Sequence, residues 1–253
     1  MSKPVLEIDN VRKTFGGIVA LDQLNLSVSE GTVTSIIGPN GAGKTTVFNL
    51  ITGHLAPTSG MLRYREKTLN HRKPHVIASM GISRTFQNVQ IFPTMSVLEN
   101  VMVGRHLRSR AGLIVSGLLP PFFRPEEKRI EADARQWLNF VDLSDCADKP
   151  AGSLPLGNQR KLEVARALAA EPELILLDEP ASGLNSRETL AMGDLIKKIR
   201  QHRITVMLVE HDMELVMDIS DHVAVLNFGN LIAKGTPGEI QENPEVIAAY
   251  LGD

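Results

Sequence analysis

The sequence predicts an α/β fold with a small antiparallel β layer at its start and a helical lobe inserted in its middle. Three observations carry that reading. Residues 38–46 read GPNGAGKTT and fit G-x-x-x-x-G-K-[ST], with the apolar run VTSII before the motif and a helix-compatible run after it. Apolar residues alternate two apart early in the chain, as in strands with one exposed face. Late in the chain, continuous apolar runs alternate with helical segments, as when strands are covered on both faces.

Residues 5–11 and 24–28 are the first predicted strands, punctuated by Asn10, Gly16, Gly17, Asp22, Glu30 and Gly31. Residues 33–37 form the strand that enters the glycine motif, and 45–51 the helix that leaves it. Thr58, Ser59 and Gly60 predict a turn, and 61–64 a short strand. From about 98 to 170 the chain reads as mostly helical. There Ile130, Ala134, Trp137, Leu138 and Val141 recur at helical spacing, so Trp137 reads as a core residue rather than a platform for stacking bases. Strands follow at 174–177, 205–209 and 223–228, with helices at 186–200 and 212–220 between them. Thr236-Pro237-Gly238-Glu239 and Asn243-Pro244-Glu245 both resemble helix starts: a polar cap, proline at the first helical position, then an early acid.

Composition narrows the function. A formal net charge of -2 over 253 residues gives no support for a nucleic-acid partner. The single cysteine, Cys146, excludes an internal disulfide and any cysteine-rich metal site. The N-terminal MSKPVLEID turns acidic before an apolar core forms, unlike a signal peptide. The longest apolar run, 111–123, holds two glycines and two prolines and is too short to span a bilayer.

The glycine motif is built to wrap phosphates. Its glycines let the backbone turn tightly and point successive N–H groups inward. Gly38, Pro39, Asn40, Gly41, Ala42, Gly43, Lys44, Thr45 and Thr46 are the candidate phosphate-binding residues. Lys44 is placed to reach terminal phosphates and Thr45 to offer its hydroxyl to Mg2+. The run LILLDEP, 174–180, ends a buried strand on two acids. Asp178 is placed to hold Mg2+ through water, and Glu179 to polarise an attacking water. His211 follows another strand, where it would face the ligand crevice and position water at the terminal phosphate. Gln87, after the run 81–86, is a candidate Mg2+ ligand through its amide oxygen. Phe15 has two readings: a core residue, or a ring laid against adenine beside Gly16 and Gly17. His71 and His75 lie in a polar, proline-interrupted segment and do not read as a metal pair.

The order of these elements resembles the nucleotide-binding subunit of ATP-binding-cassette transporters, across essentially the whole chain. GPNGAGKTT comes first, then Gln87, SLPLGNQRKLEVARAL (153–168), LILLDEP, SGLN (182–185) and His211. The resemblance implies a P-loop NTPase core of the cassette type in a single cassette domain, with ATP and Mg2+ as its ligands. Residues 1–97 would hold the antiparallel layer and the first part of the core, 98–170 the helical lobe, 171–236 the rest of the core and 237–253 a helical tail. It further implies head-to-tail pairing of two cassettes around two ATP molecules. Leu154, Pro155, Leu156, Gly157 and Asn158 would then face the partner's ATP, and Ser182, Gly183, Leu184 and Asn185 would cross the interface.

One position departs from the family. The signature is usually Leu-Ser-Gly-Gly-Gln, and here Pro155 takes the serine's place, without its hydroxyl or a backbone N–H. ATP binding is expected to survive and dimer-driven hydrolysis to be weakened. Residues 81–106, the insert at about 107–127 and the closing stretch 227–252 look like the LivG-type ATPases of branched-chain amino-acid importers. Urea-importer and lipopolysaccharide-exporter ATPases are close alternatives. So is a regulatory subunit with weak hydrolysis. The likeness implies a second cassette subunit (an identical copy or a LivF-like sibling), two transmembrane permease subunits and, indirectly, a solute-binding protein outside the membrane. It places the chain peripherally at the cytoplasmic face of the membrane. An apolar wall for a permease helix is expected within 87–99, from Phe92, Pro93 and Met95. The run 111–123 is either packed on the lobe or an apolar surface near the permeases.

Overall fold

In the computed structural model, residues 4–105 and 124–251 are described. The run 111–123 lies outside them. Strands β1 (Pro4–Phe15), β2 (Ile18–Ser29), β4 (Ser59–Tyr64) and β5 (Lys67–Thr68) form an antiparallel sheet in the order β2-β1-β4-β5. Both β1 and β2 run longer than their alternating patterns. The register slips between Ile8 and Val11, where Asn10 adopts φ 48°, so this polar punctuation is a bulge within a strand rather than its end. The turn expected at Thr58–Gly60 is likewise the start of β4. Gly60 holds φ 83°, and a Cβ there would collide with the Asn10 carbonyl at the bulge, so only glycine lets β4 pass so close.

The second sheet has the order β10-β9-β3-β8-β7-β6. It comprises β3 (Val33–Ile37), β6 (Ile82–Arg84), β7 (Leu174–Asp178), β8 (Thr205–Val209), β9 (His222–Asn227) and β10 (Asn230–Gly235). Pairs β3–β8, β3–β9, β6–β7 and β7–β8 are parallel, and only β10 runs antiparallel to its neighbour. Five carboxyl ends therefore emerge at one edge, the edge where ligands sit in sheets of this kind.

Both faces of this sheet are covered, which explains its continuous apolar strands. Leu174 and Leu176 of β7 and Met207 and Val209 of β8 join a core with Leu6, Leu21, Leu24 and Phe48, beneath the antiparallel sheet. Helix α1 (Lys44–Ile51) contributes Phe48 to that core. Their alternate residues, Ile175, Leu177, Val206 and Leu208, face a second core. There they meet α5 (Leu156–Ala169) and α6 (Ser186–Gln201) through Leu162, Leu168, Met192 and Ile196.

The lobe packs α3 (Val97–Arg105) and α4 (Arg124–Phe140) against α5, with Val101, Ala134, Leu138 and Val141 buried. Trp137 is half-buried and meets Phe140 edge-on at 5.5 Å, in keeping with a packing role. Helices α2 (Pro74–Ser79) and α7 (Met213–Ile219) flank the sheet, and α2 and β10 had no clear sequence signal. Helices α8 (Pro237–Gln241) and α9 (Pro244–Leu251) close the chain at the two proline starts. Thr236 and Glu239 cap α8 reciprocally, and the Asn243 side chain accepts from the Glu245 N–H at 2.9 Å.

Gly104 sets the approach of α3 to α5, because a Cβ there would run into the Arg166 carbonyl. Gly104→Ala is expected to destabilise the chain by about 1–3 kcal/mol through overpacking. A urea denaturation midpoint equal to wild type would refute this account of the lobe.

Candidate active site

The phosphate loop leaves β3 at Gly38. This residue holds φ 146°, and a Cβ would collide with the Leu226 carbonyl of β9. The loop closes on itself through Ala42 N–H to Pro39 O at 3.2 Å, and Gly229 N–H donates to Ala42 O at 3.1 Å. It then enters α1, whose first-turn N–H groups have no partners within the helix and suit an anion. Lys44 folds back over the loop, donating to Gly38 O at 2.6 Å and Pro39 O at 2.9 Å. Burial pushes its ammonium below the usual lysine value, while Glu179 and Asp178 oppose that shift.

A cleft of about 270 Å3 opens over the loop. Ala20, residues 40–46, Gln87, Glu179 and His211 line it. Glu179 sits just past β7 at φ 49°, with its N–H donating to Val209 O at 2.8 Å. Its two carboxylate oxygens have separate partners. His211 Nε2 lies 2.6 Å from Oε1, and Gln87 Nε2 donates to Oε2 at 2.9 Å. Because Gln87 uses its nitrogen here, its amide oxygen is not spent on Glu179.

Asp178 is less accessible than its sequence position suggests. It pairs with Arg84 at 2.8 Å, with side-chain exposures of 4% and 7%. Arg84 also donates to Asn49 Oδ1 at 2.7 Å. Behind His211, the buried Glu210 accepts from the N–H groups of Ala181, His211 and Asp212 at 2.8, 2.9 and 3.4 Å. Sequence reasoning gave neither Arg84 nor Glu210 a role. A charge inside the short strand ISR and an acid directly after TVMLV were the available signals.

Phe15 is 45% exposed, which overturns the core reading, and Lys13 Nζ lies 4.9 Å from its ring centre. Pro155 is the N-cap of α5, and its carbonyl accepts from Asn158 and Gln159 N–H at 3.0 Å each. Leu154 is buried and Leu156 is 41% exposed. Gly157 packs so closely on α6 that a Cβ would lie 2.7 Å from Glu188 Oε1. Asn185 caps α6 in a box with Glu188. Arg160 spans the two loops, donating to Phe86 O and Ser182 O at 3.3 Å each. None of Leu154–Asn158 or Ser182–Asn185 is among the described residues lining the cleft.

A larger groove of about 960 Å3 lies between core and lobe, lined in part by Ile91, Phe92, Val103 and Ala167. Of the three residues expected to form an apolar wall, Phe92 lines this groove. Pro93 packs on Gly152 and the Met95 carbonyl accepts from Ala151 N–H, so neither is among the residues lining the groove.

The residues present fit a nucleoside triphosphate. The glycine cradle, the lysine and the helix start supply donors for phosphate oxygens. They also fit Mg2+, which keeps waters and phosphate ligands and needs few protein oxygens. Thr45 and Gln87 lie in the cleft, while Asp178 lies behind it.

The model of the family described as ABC transporter matches residues 21–182. A second, described as branched-chain amino acid ATP-binding cassette transporter, matches residues 230–253. The chain belongs to the ABC transporter family. It is 46% identical to the high-affinity branched-chain amino acid transport ATP-binding protein BraF of Pseudomonas aeruginosa, covering 100% of both chains. It is 44% identical to LivG of Escherichia coli K12 over the same full coverage. A nucleotide-free ATP-binding cassette from an ABC transporter superposes with TM-score 0.86 at 32% identity, covering 99% of this chain and 100% of that one. An ADP conformation of such a cassette gives 0.87 at 32%, covering 100% of both.

Glu210 offers a test by pH. Burial raises its carboxyl pKa above the usual 4.5, three backbone N–H donors pull it down, and Glu179 adds to the rise. The folded chain therefore holds this proton more tightly than the unfolded chain. That contribution is complete below the unfolded value and is lost as pH climbs through the raised folded one. Glu210→Gln removes the titration. Its unfolding free energy relative to wild type is expected to rise as pH increases from about 4.5. Denaturant curves giving a pH-independent difference would refute the assignment.

Proposed function

We propose that this chain is the ATP-hydrolysing subunit of an importer for branched-chain amino acids. The observation that carries the reaction is one cleft holding Lys44 on one side and the Glu179–His211–Gln87 trio on the other. The substrate class rests on the full-length likeness to BraF and LivG.

In this reading residues 38–46 and Lys44 bind the ATP phosphates, with Phe15 against the adenine ring. Glu179 holds the attacking water and draws on its proton, while His211 orients Glu179 and stands beside the terminal phosphate. Thr45 and Gln87, with Asp178 acting through water, would hold Mg2+, which supplies charge neutralisation on the phosphates. Gln87 must then exchange its bond to Glu179 for the metal, linking nucleotide state to the neighbouring lobe.

The signature residues, 154–158, act on a second cassette's ATP rather than their own, in a head-to-tail pair. The second cassette is an identical copy or a LivF-like sibling: in a pair of identical chains Pro155 weakens both sites, and with a sibling it impairs only one of two. The groove behind Phe92 receives a cytoplasmic helix of a permease subunit. Among the described residues no helix is long and apolar enough to cross a membrane, which suits a peripheral subunit at the cytoplasmic face. We assign a single cassette domain with the bounds expected from sequence: 1–97 and 171–236 for the core, 98–170 for the lobe and 237–253 for the tail.

ATP hydrolysis by the purified chain is expected to rise more than linearly with protein concentration and to fall about 100-fold or more in Glu179→Gln. Pro155→Ser is expected to raise turnover several-fold by restoring a hydroxyl at the start of α5. Bound ATP without turnover at any concentration would rule out a self-sufficient pair of identical chains. Unchanged turnover in Pro155→Ser would remove Pro155 as the weak point.

A further inference from the structure

Gln87 lies between β6 and α3, in a segment with no helix or strand of its own. The segment faces two cavities. Gln87 lines the phosphate cleft, while Phe86 and Gln90 line the larger groove between core and lobe. A stretch outside secondary structure has no ladder to fix its backbone, so other groups must do so.

Two side chains of α5 supply those contacts. Arg160 Nη1 donates to Phe86 O at 3.3 Å, and Glu163 Oε1 accepts from Gln90 N–H at 2.6 Å. Among the described residues, these are the hydrogen bonds made by the backbone of residues 86–90. Arg160 and Glu163 stand three apart on α5 and so share one helix face. Arg160 Nη1 lies 3.7 Å from Glu163 Oε2, and their side chains are 7% and 3% exposed. Charges buried this deeply are held by each other and by the polar groups they reach. Arg160 Nη2 also donates to Ser182 O at 3.3 Å, which gives the guanidinium a second anchor. Residues 87–89 lie between the two gripped points, and Gln87 directly follows the first. From there its Nε2 reaches Glu179 Oε2 at 2.9 Å.

We infer that Arg160 and Glu163 are positioning residues that clamp residues 86–90 from α5 and so aim Gln87 into the phosphate cleft. Neither is among the described residues lining that cleft, so both act through Gln87. With the backbone gripped on either side, the exchange of Gln87 between Glu179 and Mg2+ falls to its side chain. The inference rests on the reading that Gln87 acts on the bound nucleotide.

The test uses the full chain. Glu163→Ala removes the acceptor for Gln90 N–H, and Glu163→Gln keeps one. Arg160→Lys trades the guanidinium fork for a point charge that cannot span the Phe86 and Ser182 carbonyls. Glu163→Ala and Arg160→Lys are each expected to lower kcat for ATP about fivefold, the weight of one ordinary hydrogen bond, with KM within about twofold of wild type. Glu163→Gln should recover most of that loss. In a Gln87→Ala background the same substitutions should change kcat by less than about twofold, because the clamp acts through Gln87. A merely structural role would give equal losses in both backgrounds, and that additivity would overturn the inference. So would a raised KM with kcat unchanged. Backbone amide order parameters of residues 87–89 should fall in Glu163→Ala and Arg160→Lys, and unaltered values would overturn the clamp whatever the kinetics show. If Glu163→Ala fails to fold, Arg160→Lys decides. Wild-type kcat in Gln87→Ala, or no turnover in the wild-type chain, would instead remove the reading on which the inference rests. The order parameters alone would then decide the clamp.

Discussion

The Leu226 carbonyl of β9 leaves no room for a side chain on Gly38, and the rest of the site depends on that closeness. Because β3 lies between β8 and β9, the loop leaving β3 must turn at once, over the edge where its neighbours also end. The parallel pairing of β7 and β8 brings Asp178 opposite Val209 in register. Glu179 and Glu210, one residue further on each strand, therefore reach the same edge by construction. Gly38 with a larger side chain would push the loop off β9, and Lys44 would lose the two carbonyls that now hold it.

Charge explains the second tier of residues. Asp178, Glu179 and Glu210 crowd one sheet edge, and such a cluster resists burial. Each is accommodated differently. Asp178 has a buried guanidinium, Arg84, and removal of one partner from such a pair typically costs about 3–5 kcal/mol. Glu210 is held by backbone N–H groups. Glu179 lines the cleft, and among the described residues its carboxylate is hydrogen-bonded to His211 and Gln87. The carboxylate proposed for chemistry is thus the one whose partners are side chains of the cleft rather than a buried ion pair or the backbone.

Local chemistry decided which parts were legible in advance. The phosphate loop, the acids 178–179 and the proline helix starts are each set by residues close in sequence, so their spacing suffices. The misses all depend on distant neighbours. Asn10 marks a bulge and not a strand end because β4 crosses there at Gly60. Phe15 lacks the cover that a core position would need, and nothing in its own segment says so. Arg84 is a charge in a strand whose partner lies 94 residues away. Strand β10 alternates too weakly to stand out, since most of its residues are only half-buried against β9.

The proposed division of the site between two chains is compatible with the same geometry. Gly157 packs on Glu188, so residues 154–158 lie against α6 of their own chain, and none of them is among the described residues lining its cleft. Arg160 locks the arrangement by reaching both Phe86 and Ser182. That guanidinium also places the residue before Gln87 on the same rigid side chain as the loop that would cross to a partner. Pro155 does not disturb this link, because an N-cap needs its carbonyl for the helix and φ -56° suits proline. Under the proposed pairing its effect is confined to the missing hydroxyl and N–H that would face the partner's phosphate. In a pair of unlike cassettes, that leaves the cleft formed by Lys44, Glu179 and His211 of this chain as the intact one.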